Sequence, residues 1–252
     1  MTPARLEIIA LEDFPLVGPG DDIAQLLIHN APNGGYCDGD ILIIAQKIIS
    51  KAEGRFVDLK SVSPSKEAAS LAYKTEKDPR LVELILSEST EIARHRPGVI
   101  IAVHRLGLVL ANAGIDASNV GKDDDHVLLL PVNPDKTCSE IRSKVQSETG
   151  TNVAVIINDS LGRAWRHGTM GIAIGVAGLP ALLDLRQSPD LHGRKLQVSI
   201  VGIADELAAA GSIVQGQGAE GRPVALVRGL DPFEQTSPAS EIIRPANENL
   251  FR

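Results

Sequence analysis

The chain has 252 residues, 43% of them hydrophobic and 23% charged, with a formal net charge of −7 at pH 7. That length can bury a substantial core, in one domain or in two closely packed subdomains, and the composition is that of a folded chain. The acidic balance argues against a global nucleic-acid or membrane-surface binder. Four Phe, two Tyr and one Trp are too few for a stacking platform along single-stranded nucleic acid. No apolar run approaches the ~20 residues of a membrane-spanning helix, and residues 1–5 carry no signal-peptide pattern. Cys37 and Cys138 lack metal-ligand or disulfide-framework spacing, so a reducing cytoplasmic setting is the expectation.

Along the chain, residues 6–11 (LEIIAL) and 40–49 (DILIIAQKII) read as strands, with a helix over 21–31 on the stripe Ile23, Leu26, Leu27. Helices are predicted over 64–75, started by Ser63 ahead of Pro64, and over 79–93, with Asp78 as cap and Pro79 in the first turn. Strand runs at 98–105 and 106–114 have almost nothing between them, which implies antiparallel pairing. A strand at 126–132 precedes TCSE (137–140), a capping-box pattern opening a helix to about 148. Strands follow at 152–159, 195–203 and 222–230, with a helix at 204–214. The tail from about 235, with Pro238 and Pro245, is polar and expected to be partly mobile. The fold class is α/β in the α+β sense: mixed sheets with antiparallel pairing and packed helices, not a Rossmann rhythm.

Four stretches carry candidate chemistry. VAVIINDSLGRAWRHG (153–168) delivers Asn158, Asp159 and Ser160 at a strand's end, then Arg163, Trp165, Arg166 and His167. Carboxylate plus hydroxyl is the hard-oxygen set preferred by Mg²⁺ or Mn²⁺, and paired arginines suit carboxylate or phosphate. The alternative is a helix cap beside a solvated face. NAGIDASN (112–119) places Asp116 and Asn119 around a turn, readable as a metal carboxylate beside a ligand-gripping amide or as turn chemistry alone. AQKIISKAEGR (45–55) offers Gln46, Lys47 and Lys51, able to reach a polyphosphate or to guard a sheet edge.

GQGAEG (216–221) is a literal GxGxxG, but a helix precedes it and a strand follows. A dinucleotide fingerprint needs the reverse order. Its backbone amides can still approach phosphate. No Walker sequence, GxSxG elbow or paired-histidine zinc motif occurs.

Taken in order, GDILIIAQKIISKAEGR (39–55), GLVLANAGIDASN (107–119), NDSLGRAWRHGTMGIAIGVAG (158–178) and ADELAAAGSIVQGQGAEGRPVALVRGL (204–230) resemble the γ-glutamyl ligases of deazaflavin biosynthesis, the coenzyme F420:L-glutamate ligase family. The resemblance spans about residues 5–230. It implies an intertwined homodimer that uses GTP, Mn²⁺ or Mg²⁺ and a monovalent cation such as K⁺ to join L-glutamate to the deazaflavin precursor. Carried over by motif, Asp116, Asp159, Ser160 and Gln217 would be metal-associated, and Asn119 would touch the nucleotide. Phe14, Pro15, Leu16, Val17, Gln46, Lys47 and Lys51 would lie at the nucleotide. Gln215, Gly216, Gln217, Gly218, Ala219, Glu220, Gly221 and Arg222 would wrap its phosphates. Lys51 or Arg166 would stabilise the charged transition state. The chain departs from the family pattern at Gln46-Lys47, where small hydroxyl residues are usual, at Gln217, where an acid is usual, and at Gln187, where glycine is common. Two rivals stand beside this reading: ligation to another carboxylated acceptor, such as a folate-like compound, and a GTP-binding regulatory protein without turnover.

Overall fold

The computed structural model describes residues 5–116 and 125–249. From the amino end, β1 (Glu7–Ala10) leads to α1 (Ile23–His29), β2 (Ile41–Ala45), α2 (Gln46–Ala52) and β3 (Phe56–Asp58). Helices α3 (Lys66–Thr75) and α4 (Pro79–Ser87) precede β4 (Ser89–Arg96), β5 (Val99–His104) and β6 (Val109–Ala111). Then come β7 (His126–Leu128), α5 (Pro134–Thr149), β8 (Ala154–Arg163) and β9 (Arg166–Ala177). The short β10 (Leu183–Asp184) and β11 (Ile200–Val201), α6 (Ile203–Gln215) and β12 (Val224–Arg228) follow.

The central sheet has strand order β1-β12-β2-β8-β9. Only β2 and β8 run parallel, with Ile41 opposite Ala154 and Ala45 opposite Asn158. Alternation along these strands divides the core. Leu42, Ile44, Val155, Ile157, Val224 and Leu226 face one cluster with the apolar sides of α1, α2 and α5. Ile41, Ile43, Ala154, Ile156, Ala225 and Val227 face the other with α6. Strands covered on both faces need continuous apolar runs, which is why these segments lack polar alternation. A third cluster, with Ala68, Val82, Ile85, Ile100 and Ala102, is built by α3, α4 and the β4-β5-β6 sheet.

Side chains on two helices close the β9 edge. The Val176 N–H donates to Asp135 at 2.8 Å and the Ala173 N–H to Asp205 at 2.9 Å. Both carboxylates lie in the first turn of their helix, where negative charge is favoured. They satisfy amides that an open edge would leave unpaired.

Several sequence expectations shift. The run at 40–49 is a strand only to Ala45; from Gln46 it turns into α2. There Ser50 donates to Gln46 at 2.9 Å, and Ile48 and Ile49 pack into the core beside Leu42 and Ile44. The helix expected over 79–93 stops at Ser87, and Ser89–Arg96 pairs with β5 around a Pro97-Gly98 connection. The cap of α3 is Ser65, whose oxygen accepts from Ala68 N–H, rather than Ser63. That of α5 is Asn133 ahead of Pro134, which leaves the TCSE pattern inside the helix. The strand expected at 195–203 shrinks to Ile200–Val201. The tail docks: Ser237 Oγ accepts from Ala181 N–H, Ala239 N–H donates to Asp135, and Ala239 is buried. The antiparallel pairing expected within 98–114 is that of β5 with β6. Among the described residues, no helix is long and apolar enough to cross a membrane.

Gln187 stands at φ +69°, in the left-handed region that disfavours a Cβ. Gln187→Gly is therefore expected to raise the unfolding free energy by up to about 1 kcal/mol, the relief of strain being partly offset by glycine's greater unfolded entropy. Chemical denaturation of both proteins checks this, and a loss of stability would remove the strain argument.

Candidate active site

The register of the central sheet gathers the predicted residues along one rim. Ala45 ends β2 opposite Asn158, Ile44 pairs with Val224, and Ala225 pairs with Ala10. The start of α2, the exposed half of β8, the loop into β12 and the exit of β1 thus share one end of the sheet. The Gly20 N–H donates to Ala52 O at 2.9 Å, laying the 13–20 loop against the end of α2.

Two lysines and two carboxylates meet at this rim. Lys47 and Lys51 lie one turn apart on α2, and Lys47 Nζ is 2.7 Å from Asp116 Oδ2. Burial lowers the Lys51 pKa, and repulsion from Lys47 adds to the effect, against attraction from Asp116. Asp159 follows Asn158 directly. Burial, with the Asp116 charge adding, pushes its carboxyl up to about 6, against the Ser160 N–H, Lys47 and the Gln46 side chain. The Ser160 N–H is 2.8 Å from Asp159 Oδ1. A carboxylate that costs energy to ionise, beside a second one already shared with lysine, is a place that an added cation would stabilise.

The donor set fits a hard divalent ion. Among the described residues no three His, Cys, Asp or Glu side chains converge. Asp116, Asp159 and the Ser160 hydroxyl would supply only part of a shell, as is usual for Mg²⁺ completed by water and phosphate.

Other predicted residues have different surroundings. Gln215 is buried: its amide donates to Ile43 O at 3.0 Å and Pro223 O at 3.1 Å, and its carbonyl accepts from Asn158 at 2.8 Å. It fastens α6 to β2, β8 and the entry to β12. Phe14 is part of the core, Val17 packs against it, Leu16 is fully exposed, and Pro15 is exposed between them. Asn119 lies outside the described residues. Gln217, Ala219 and Gly221 are exposed on the loop after α6. Arg166 pairs with Arg163 across the turn of the β8–β9 hairpin. Asp159 and Arg163 are four positions apart, about 13 Å of strand.

The glycine loop holds an anion of its own. Gly216 has φ +76°, and the Gly218 N–H donates to Glu220 Oε2 at 2.7 Å. The backbone N–H groups of Glu220 and Gly218 lower the pKa of this carboxyl, as expected of a concave amide nest. Arg222 reaches Glu12 at 3.2 Å. Between them opens a cleft of about 940 Å³ lined by Glu12, Asp13, Asn30, Gly216, Glu220 and Arg222 among others. Lys47, Lys51, Asp116 and Asp159 do not line it.

A half-buried charge cluster, with no counterpart among the sequence expectations, adjoins the rim. Glu88 Oε2 is 2.8 Å from Arg55 NH2, 3.2 Å from Arg105 Nε and 3.4 Å from His104 Nε2. The His104 Nδ1 accepts from Leu106 N–H, which leaves Nε2 to carry the proton toward Glu88. The only sequence signal was a Glu and a His at the ends of apolar runs.

Oxygen donors for a hard cation, paired lysines and an amide nest at one sheet end define an α/β protein suited to phosphate and carboxylate groups. Known proteins agree with that class. The family model described as F420-0:Gamma-glutamyl ligase matches residues 13–229, and the chain belongs to that family. It is 45% identical to the coenzyme F420:L-glutamate ligase of Methanothermobacter thermautotrophicus, over 98% of this chain and 99% of the relative. Relatives of the same name from Methanopyrus kandleri and Methanocaldococcus jannaschii are 42% and 43% identical. Each alignment covers 98% of this chain, with 99% and 97% of the respective relative.

The pH dependence of stability follows from Asp159. Its folded pKa lies above the unfolded value of 3.8, so the folded state pays nothing below that value. The penalty grows between pH 4 and 6 and is complete above 6. Asp159→Asn is expected to stabilise the metal-free protein by on the order of 2–3 kcal/mol at pH 7.5 and hardly at all near pH 3.5. Unfolding curves at both pH values check it; an equal effect at both would remove the desolvation account.

Proposed function

We propose that this protein is a GTP-dependent γ-glutamyl ligase, joining the amino group of L-glutamate to a carboxylate of the deazaflavin precursor F420-0. Family membership supports the ligase class. The observation that carries the site is the half-buried Asp159, its carboxyl pushed up by desolvation, with Asp116, Lys47 and Lys51 at the same end of the sheet.

The chemical problem is a resonance-stabilised carboxylate that repels the amine's electron pair. Transfer of the γ-phosphoryl group to the carboxylate oxygen gives an acyl phosphate and releases GDP. The amine then attacks the carbonyl, phosphate leaves, and the ammonium proton is lost. Asp116, Asp159 and Ser160 would hold Mn²⁺ or Mg²⁺, with Gln217 supplied by the loop. Such an ion neutralises charge on the transferring phosphoryl group. Lys51, whose pKa is lowered first by burial, would donate to the phosphates. Gln46, buried and bonded to Ser50, keeps α2 in register with the carboxylates. The Gly218 and Glu220 amides, now occupied by the Glu220 carboxylate, would take phosphate oxygens once that side chain swings out. Backbone of residues 14–17 and Asn119 would complete the nucleotide site.

The homodimer belongs to the same proposal. The β8–β9 turn projects Trp165, 80% exposed, and the segment between β10 and β11 projects Leu191 and Val198. Large apolar side chains on two projecting arms are what a partner subunit would cover, and Arg166 would then act across the interface. A cytoplasmic location and a monovalent cation such as K⁺ complete the reading.

Purified protein incubated with GTP, Mn²⁺, L-glutamate and F420-0 should yield products heavier by one or more glutamates. GDP should form only when both substrates are present. Asp116→Ala and Asp159→Ala should each lower the rate by about 10²-fold or more with unchanged circular dichroism. Undiminished turnover would sink the site. GTP binding without glutamylation would favour a different acceptor or a regulatory role.

A further inference from the structure

Asp116 reaches Lys47 from a distant part of the chain, and the structure shows what holds it there. Its backbone exchanges two hydrogen bonds with Leu128, 2.9 and 2.8 Å. The segment just beyond Leu128 is gripped from two sides. On one, Arg55 O accepts from Leu129 N–H at 3.1 Å and Arg55 Nε donates to Leu130 O at 2.9 Å. On the other, Arg105 donates to Val132 O at 2.9 Å and Pro131 O at 3.3 Å.

One carboxylate joins both clamps. Glu88 Oε2 binds Arg55 at 2.8 Å and Arg105 at 3.2 Å, and faces the fully buried His104. The Arg105 N–H also donates to Glu88 O at 3.0 Å. Both guanidiniums are thus fixed by one anion that is 12% exposed, while other N–H groups of theirs hold residues 130–132, the continuation of the strand to which Asp116 is bridged. A carboxylate so shared sets the direction of two planar forks at once.

We infer that Glu88 is a positioning residue: through Arg55 and Arg105 it fixes residues 128–132 and so holds the Asp116 carboxylate against Lys47. Glu88 touches no reacting group in this arrangement. Its consequence for metal binding rests on the reading of Asp116 as a metal carboxylate; its consequence for the Lys47–Asp116 pair does not. Partners that orient metal-binding side chains without touching the ion commonly govern affinity in this way.

Glu88→Gln keeps the shape and removes the charge. Two readouts on the full-length protein separate positioning from general loosening. Brief acetylation with an N-hydroxysuccinimide ester, read by peptide mass spectrometry, should label Lys47 several-fold faster in Glu88→Gln than in wild type. Lys77, half-buried at the end of α3, serves as reference and should label at an unchanged rate. A Mn²⁺ titration in the presence of GTP should show the midpoint raised about tenfold, with kcat at saturating Mn²⁺ close to wild type. Should Glu88→Gln fail to fold, Arg105→Lys severs the carbonyl clamp and predicts the same two changes. Unchanged Lys47 labelling, or an equal rise at Lys77, would overturn the inference. Faster Lys47 labelling in a protein whose wild type binds no Mn²⁺ would uphold the positioning role and overturn the metal reading instead.

Discussion

Parallel pairing of β2 with β8, in a sheet covered on both faces, sets the height at which charge can first enter this protein. Ile41–Ile44 and Val155–Ile157 are almost completely buried, and a charge among them would lack any compensating partner. Because the two strands run the same way in register, their apolar runs end together, at Ala45 and Asn158. Asn158 is the last buried group on β8, and Gln215 satisfies it. Asp159 comes one residue later, still against the dry sheet. Its raised pKa reflects that location: it stands at the top of a sheet that could not have carried it any lower.

The rim combines groups from separate cores. Lys47 and Lys51 ride on α2, which packs directly on the central sheet. Asp116 follows a lobe with its own small cluster around Val82, Ile85 and Ile100. Packing within each cluster is non-directional and does not fix one relative to the other to within a bond length. Directional contacts do that. The Glu88 cluster, and Glu53, which accepts from Val132 N–H and Thr137 Oγ, anchor the connecting strand. The depressed pKa of Glu88, about 2, comes first from His104 and then from Arg55 and Arg105, against the effect of burial. The proposed binding of anions and a cation together would gain from such fixed dipoles and charges, since little would then need to reorganise when the ligands arrive.

Much of this was legible in the chain itself. Strands buried on both faces showed as Val/Ile runs, and the polar residues after them, Gln46-Lys47 and Asp159-Ser160, marked the rim together with the glycine loop ahead of β12. The loop's helix-before, strand-after context was also readable. Boundaries were less so. Residues 46–49 look strand-like because Ile48 and Ile49 continue the pattern of β2. Residues 89–93 look helical because Ile92 extends the spacing of α4. In each case the pairing partner, or its lack, decided the outcome. Gln215 read as a loop residue, yet its three bonds to segments far apart in sequence made it part of the core. Glu88, with partners at positions 55, 104 and 105, left no local trace.

By itself, the sequence determined which segments must be buried, where each apolar run stops, and which chemical groups stand at those stops, because burial and polarity are properties each residue carries with it. Tertiary structure alone decided that the stops coincide, that Asp116 meets Lys47, and that Glu220 sits on its own loop's amides. Those outcomes depend on strand register and on hydrogen bonds between residues tens of positions apart, and neither is encoded within any single stretch of chain.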